Sequence, residues 1–171
     1  MARQHSHSST PFSDRKFPIV VLSDGIKSPA NIGALFRICD AFGVEEIIFF
    51  NAAFDLKSTR LKRTARETQN TTKFKMGDSL AVALNEFRAL DYTLVGLEIT
   101  DKSTAIHEFK AGPSAKFVLV LGNERHGISE EIIAKLDDCH HIEMYGANSS
   151  MNVIQAASIG LYVITKQLHN E

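Results

Sequence analysis

Short, continuous runs of apolar residues alternate along the chain with longer segments in which apolar residues recur every three or four positions. The clearest runs are "PIVVL" (18–22), "EIIFF" (46–50), "YTLVGL" (92–97) and "KFVLVL" (116–121). Uninterrupted apolar strands are typical of parallel sheets, which are covered on both faces. A weaker run, "HIEM" (141–144), predicts a fifth strand.

Two of the intervening segments place their apolar side chains on one helical face. These side chains are Ile32, Leu35, Phe36, Cys39 and Phe42 in the first segment, and Leu80, Ala83, Leu84, Phe87 and Leu90 in the second. The alternation predicts an α/β fold with a mainly parallel sheet flanked by helices. We expect a disordered tail over residues 1–16 and a single domain over residues 17–171.

The last periodic segment, residues 152–169, is apolar around most of its circumference. A helix of this kind is buried on more than one side. In a domain of this size, the simplest cover for the second side is another copy of the chain. We therefore expect a homodimer.

Composition narrows the class of protein further. The formal net charge is -1, and the two cysteines, Cys39 and Cys139, lack the spacing of a disulfide framework or a zinc site. No run reaches the roughly 18 apolar residues of a membrane span, and the first residues lack the hydrophobic centre of a signal peptide. We expect a cytoplasmic protein without a metal or a membrane partner.

The segment "SDGIKSPANIGALFRICDAFG" (23–43) links the first strand to a helix. Asn31 can cap that helix or serve the function, and the sequence does not separate these roles. Arg37 has apolar neighbours, which place it close to the buried stripe of the helix. A guanidinium in that position calls for an anionic partner.

Two further polar loops follow strands. In "LGNERHGIS" (121–129), Gly122 and Gly127 permit close approach to the backbone, Ser129 resembles a helix N-cap, and His126 is expected to face solvent. In "IEMYGANSSMNV" (142–153), eight small or polar residues precede the last helix. Loops at the carboxyl ends of parallel strands form one pocket. Because the G-x-G-x-x-G and G-x-x-x-x-G-K-[ST] motifs are absent, the usual NAD and ATP cradles are excluded.

The three segments, in this order, resemble the motifs of the SpoU (TrmH-like) RNA 2′-O-ribose methyltransferases of the SPOUT superfamily. The residues that carry the resemblance are Asn31, Arg37, Gly122, Glu124, Gly127, Met144, Gly146, Ser150, Asn152 and Val153. The resemblance implies a deep C-terminal trefoil knot, an obligate homodimer, and S-adenosylmethionine bound in the knot. It further implies methyl transfer to a ribose 2′-hydroxyl of tRNA or rRNA.

The resemblance also implies roles for individual residues. The catalytic residues are Asn31, Arg37, Glu124, Ser150 and Asn152. The residues that bind S-adenosylmethionine are Leu97, Leu121, Gly122, Asn123, Glu124, Gly127, Ile142, Met144, Ser150, Met151 and Asn152. Glu143 stands where the family usually has proline, and Met151 where it usually has leucine; Met151 keeps the apolar volume.

Arg37 and Glu124 are expected to have different roles in the reaction. Guanidinium groups stay protonated in proteins, so we interpret Arg37 as a phosphate clamp that also stabilises alkoxide charge. Glu124 is either the base or a carboxylate that holds loop amides and Asn31. The alternative functions are a catalytically silent RNA-binding module and a methyltransferase acting on protein or a small molecule.

The segment "KSTRLKRTARETQNTTKFK" (57–75) contains seven basic residues against the single acidic Glu67, although the whole chain is slightly acidic. A cluster of this kind is often only a solvated face. Since the segment follows the second strand, we expect it to track an RNA backbone, and Phe74 to join the core or to stack on a base. The principal contacts are predicted to be Arg60, Lys62, Arg63 and Arg66.

Overall fold

Strands and helices alternate along the chain, as the sequence predicts. The computed structural model describes residues 14–112, 115–148 and 150–169. The strands are β1 (Phe17–Asp24), β2 (Val44–Phe50), β3 (Phe74–Met76), β4 (Tyr92–Leu97), β5 (Thr104–Ala105), β6 (Lys116–Leu121) and β7 (Asp138–His141). The helices are α1 (Pro29–Ala41), α2 (Thr59–Ala65), α3 (Leu80–Ala89), α4 (Glu130–Ile133) and α5 (Val153–His169).

In the described part of the chain, seven strands form one sheet in the order β3-β2-β1-β6-β4-β7-β5. Every pair of neighbouring strands in that order is parallel. The predicted α/β fold with a mainly parallel sheet is therefore confirmed. The trefoil knot and the division into a tail and a single domain stay predictions, and residues 1–13 of the tail lie outside the described residues.

Both faces of the sheet are covered by apolar side chains. Along β1, Ile19 and Val21 belong to one core cluster, with residues of α1, α2 and α5. Val20 and Leu22 belong to the other, with residues of α3 and α4. This double burial accounts for the uninterrupted apolar runs, because successive strand residues point to opposite faces.

Three details of the predicted pattern were wrong. The weak strand lies at Asp138–His141, so residues 142–144 form a loop. Strands β3 and β5 were missed, because runs of three and two residues give no readable period. Leu90 lies beyond the end of α3 and is 58% exposed, although the sequence placed it on the buried face.

Helix α1 packs closely against α2 at a glycine. A β-carbon added to Gly33 would overlap the Thr64 hydroxyl and the carbonyl oxygen of Leu61. Nearby, the ring of Phe74 lies 5.1 Å from that of Phe36, edge to face. This contact confirms that Phe74 joins the core. The contact at Gly33 separately holds α1 close to α2.

Helix α5 buries one side against the sheet and leaves another exposed. Its amino end is capped by Asn152, whose Oδ1 accepts a hydrogen bond from the Ile154 amide at 2.8 Å. The exposed stripe of α5 consists of Gln155, Ile159, Tyr162, Lys166 and His169. Within the described ranges, no helix combines the length and the apolar character that crossing a membrane requires.

Candidate active site

A cavity of about 460 Å³ opens where β1, β6, β4 and β7 end. Its wall combines apolar side chains of three loops with polar side chains at one rim. The lining residues are Asn31, Leu97, Glu98, Ile99, Leu121, Gly122, Asn123, Glu124, Arg125, His126, Gly127, His141, Ile142, Met144, Ser150, Met151, Asn152, Val153 and Ala156. This is the edge at which open parallel sheets bind ligands.

The structure brings together every residue that the resemblance assigned to the cofactor, since all eleven line this cavity. Sequence reasoning missed Glu98, Ile99 and His141, among others. Glu98 and Ile99 follow the carboxyl end of β4 as the second motif follows β6. That position was the available signal, but the two residues belong to no glycine-rich motif.

Three side chains from three separate segments of the chain form one hydrogen-bonded chain at the rim. The Asn31 amide nitrogen donates to Glu124 Oε1 at 3.1 Å. The Asn152 amide nitrogen donates in turn to Asn31 Oδ1 at 3.2 Å. We call this chain the Glu124–Asn31–Asn152 bridge. It joins the loops after β1 and β6 to the start of α5.

Glu124 also accepts backbone hydrogen bonds. The Lys27 and Ser28 amides each lie 3.4 Å from one of its carboxylate oxygens. Partial burial would raise the pKa of Glu124, but the hydrogen bonds, led by that of Asn31, outweigh it and hold the pKa below its ordinary value. The geometry thus matches the interpretation of Glu124 as a carboxylate that holds loop amides and Asn31.

Of the two roles that the sequence left open for Asn31, the structure excludes the helix cap. Helix α1 begins at Pro29, its N-cap is Ser28, and Asn31 already lies inside the first turn. Its side chain is therefore available for the bridge. Ser129 is indeed the N-cap of α4, as predicted, although its side chain makes no capping hydrogen bond.

Gly122 and Gly127 shape the second motif. Asn123 and Gly127 exchange two backbone hydrogen bonds, of 3.0 and 2.9 Å, and Gly127 adopts a φ of 64°, which favours glycine. A β-carbon on Gly122 would overlap the backbone of Gly127. Glu98 Oε2 accepts from the Ile128 amide at 3.0 Å, so the loop after β4 supports this turn.

Arg37 does not lie where the sequence suggested. Its side chain is exposed, whereas those of Phe36 and Cys39 on the same helix are buried. Arg37 is therefore not part of the buried stripe of α1. Among the described residues it has neither a salt bridge nor a side-chain hydrogen bond, and it does not line the cavity. Ser150, by contrast, lies on the cavity wall.

Glu143, at the position where the resemblance implies proline, makes contacts outside the cavity lining. Its Oε2 lies 3.5 Å from His107 Nδ1 and accepts a hydrogen bond from the Tyr145 hydroxyl at 3.2 Å. Glu143 is absent from the cavity lining. The substitution therefore leaves the apolar wall formed by Ile142 and Met144 intact.

The basic segment divides into two parts. Lys73 and Lys75 form salt bridges of 3.3 and 3.1 Å with Glu46, whose side chain is 9% exposed. The two lysines thus compensate a nearly buried carboxylate. The four predicted RNA contacts, Arg60, Lys62, Arg63 and Arg66, are all exposed on α2 or at its C-cap.

In the described ranges, no group of three or more His, Cys, Asp or Glu side chains is arranged to hold a metal ion. Both cysteines are free thiols. Burial raises the pKa of Cys39 well above its ordinary value, as expected of an inert core thiol.

Comparison with known proteins agrees with this geometry. The model of the SpoU rRNA Methylase family matches residues 18–162. A tRNA (guanosine(18)-2′-O)-methyltransferase of Aquifex aeolicus is 30% identical over 156 residues, which is 90% of this chain and 71% of that relative. A tRNA (guanosine(18)-2′-O)-methyltransferase of Saccharomyces cerevisiae is 29% identical over 87% of this chain, but the chain spans only 10% of its length.

Solved structures show the same architecture. The A. aeolicus TrmH/SpoU tRNA modifying enzyme superposes with a TM-score of 0.81 at 28% identity, covering 92% of this chain and 78% of that chain. The SpoU methyltransferase AviRb from Streptomyces viridochromogenes, in complex with the cofactor AdoMet, gives a TM-score of 0.78 at 25% identity, covering 94% and 64%. With its motifs in order around one cavity and the family model matched from residue 18 to residue 162, this chain belongs to the SpoU rRNA methylase family.

Proposed function

We propose that this chain transfers a methyl group from S-adenosylmethionine to a ribose 2′-hydroxyl of tRNA or rRNA. The observation that carries the proposal is the Glu124–Asn31–Asn152 bridge, which lies at the rim of the cavity formed by the three motifs. The names of the relatives support the reaction, and the AdoMet complex of AviRb supports the cofactor.

The residues of the cavity fit S-adenosylmethionine. The volume lies within the range of about 300–1,000 Å³ that is usual for small-molecule sites. Leu97, Leu121 and Ile142 offer apolar contact for an adenine ring, and Met144 and Met151 extend that wall. Asn123 and Ser150 offer polar contacts to the rest of the cofactor.

When bound, S-adenosylmethionine supplies an electrophilic methyl group, so the protein has to align the ribose hydroxyl and assist loss of its proton. Glu124 keeps Asn31 in one orientation, and Asn31 in turn orients Asn152. The lowered pKa of Glu124 weakens it as a base. We assign it the positioning role and let the proton pass to a substrate phosphate or to water.

Arg37 is proposed as the phosphate clamp. Its exposed guanidinium has no anionic partner among the described residues, so it is available to an incoming phosphate. It lies outside the cavity wall of its own protomer. The clamp therefore acts on the RNA and not on the methyl donor.

The experiment that tests the function combines cofactor binding with methyl transfer. Isothermal titration should show binding of S-adenosylmethionine, and tritium should pass from the labelled cofactor to RNA and not to protein. Gly122→Val should weaken cofactor binding about tenfold or more, because the new side chain displaces the loop at Gly127. Gly112→Val is the matched control, because Gly112 lies outside the three motifs and a β-carbon added there meets nothing within 4 Å.

If the wild-type protein binds RNA but no S-adenosylmethionine, the chain is a silent RNA-binding module. Transfer of tritium to protein would contradict the RNA substrate. Cofactor affinity unchanged in Gly122→Val would contradict the site.

For Arg37, we expect Arg37→Ala to lower methyl transfer by about a hundredfold or more while the affinity for S-adenosylmethionine stays nearly unchanged. Arg37→Lys should rescue poorly, since lysine lacks the planar fork that binds a phosphate bidentately. Single-turnover transfer and cofactor titration measure the two effects. Near wild-type turnover in Arg37→Ala would refute the clamp.

The exposed basic residues of α2 are proposed to bind the RNA backbone. Changing Arg60, Lys62, Arg63 and Arg66 to alanine together should weaken RNA binding and lower the salt slope of the log affinity by up to about 3–4 units. The control is Lys75→Ala, which removes one charge that faces Glu46 and leaves Lys73 to compensate that carboxylate. Wild-type affinity and salt dependence in the fourfold variant would make the cluster a solvated face.

We also propose a homodimer that covers the exposed stripe of α5. Ile159 and Tyr162 are 38% and 55% exposed there, and the Tyr162 ring lies 6.5 Å from that of Phe42 on the end of α1. Apolar side chains adjoining on two helices form a surface that a second copy can bury.

Light scattering should give the mass of a dimer at micromolar concentration, and Ile159→Glu with Tyr162→Glu should give that of a monomer. Val82→Glu is the control, because Val82 is 54% exposed on α3, which packs on the opposite face of the sheet. A wild-type monomer would exclude this dimer.

A further inference from the structure

A second cavity, of about 530 Å³, adjoins the first at the rim. Its lining residues are Lys27, Ser28, Asn31, Asn123, Glu124, Arg125 and His126. All seven are polar or charged, whereas much of the first cavity is lined by leucine, isoleucine, methionine, valine and alanine. The two cavities therefore suit ligands of different chemistry.

The two cavities share one wall. Asn31, Asn123 and Glu124 line both, as do Arg125 and His126. The Glu124–Asn31 hydrogen bond thus lies between an apolar compartment and a polar one. A group held in the polar cavity reaches the same side chains that border the cofactor compartment.

The charge of the second cavity favours an anion. Lys27 and Arg125 contribute two positive charges, and Glu124 contributes one negative charge that is engaged by the Asn31 amide and by the Lys27 and Ser28 backbone amides. Lys27 is exposed, and within the described ranges its ammonium group has no salt-bridge partner. A free cation in a polar cavity is suited to a phosphate oxygen.

We propose that this second cavity holds the ribose and adjacent phosphate of the nucleotide that accepts the methyl group, and that Lys27 contacts the phosphate. The assignment rests on the proposed RNA methyl transfer. It extends that proposal to Lys27, a residue to which the resemblance assigned no role. Lys27 is the informative member of the lining, because it lines the second cavity and not the first. Its loss should therefore affect RNA and spare the cofactor.

The test compares Lys27→Ala, Lys27→Glu and Lys27→Arg with the wild type, using fluorescently labelled bulk tRNA and rRNA fragments from a deletion strain. Lys27→Ala should raise the RNA dissociation constant by about threefold or more, and lower the salt slope by about 0.9. Lys27→Glu should have the larger effect, and Lys27→Arg should stay near wild type. In transfer assays KM for RNA should rise more than kcat falls.

Lys110→Ala is the control, since Lys110 is another exposed lysine without a salt-bridge partner in the described ranges and lines neither cavity. S-adenosylmethionine affinity should be unchanged in every Lys27 variant. Wild-type RNA affinity and salt slope in Lys27→Glu would overturn this assignment alone. A wild-type protein that binds no RNA would overturn the proposed function as well.

Discussion

The site depends on the hydrogen bonds that the Glu124 carboxylate accepts. The carboxylate accepts hydrogen bonds from the loop after β1 and, through Asn31, is linked to Asn152 at the start of α5. Asn31 is separated by 93 positions in sequence from Glu124 and by 121 from Asn152, so no local structure brings these residues together. Removing the carboxylate would leave several donors without an acceptor, which costs more than one ordinary hydrogen bond. Because Asn152 also caps α5, the longest helix begins at the point where the loops are joined.

The architecture was readable from the sequence because its strands are buried on both faces and therefore appear as uninterrupted apolar runs. The site was readable only as far as its motifs extend. The sequence could not decide whether Asn31 caps α1 or serves the site, because its distance from Glu124 is a property of the folded chain and has no local signature. The prediction placed strand β7 three residues too late in the sequence, since "DCHH" is polar and pairs with β4 through its backbone. The exposure of Arg37 was missed because apolar sequence neighbours do not show on which side of the helix a residue lies.

At the rim of the sheet, one layer of side chains lies between the two cavities, whose linings differ in polarity. On one side, the lining includes leucine, isoleucine and methionine side chains; on the other, it contains no apolar side chain. The two linings suit the two proposed ligands, since an adenine ring is bound largely by apolar contact, whereas a ribose phosphate is bound by charge and hydrogen bonds. Asn31 and Glu124 line both cavities, so two members of the positioning bridge also belong to the wall between the cavities.

The close packing at Gly33 gives α1 and α2 a common geometry. Asn31 lies two residues before Gly33, and Arg60, Lys62 and Arg63 are sequence neighbours of Leu61 and Thr64, the residues of α2 that Gly33 contacts. Because no space is left between the two helices at this contact, their relative position is closely constrained. On the proposed function, this packing would fix the distance between an RNA phosphate bound on α2 and the ribose held beside Asn31. That distance would set how many nucleotides separate the two, so that the choice of nucleotide depends on length as well as on base.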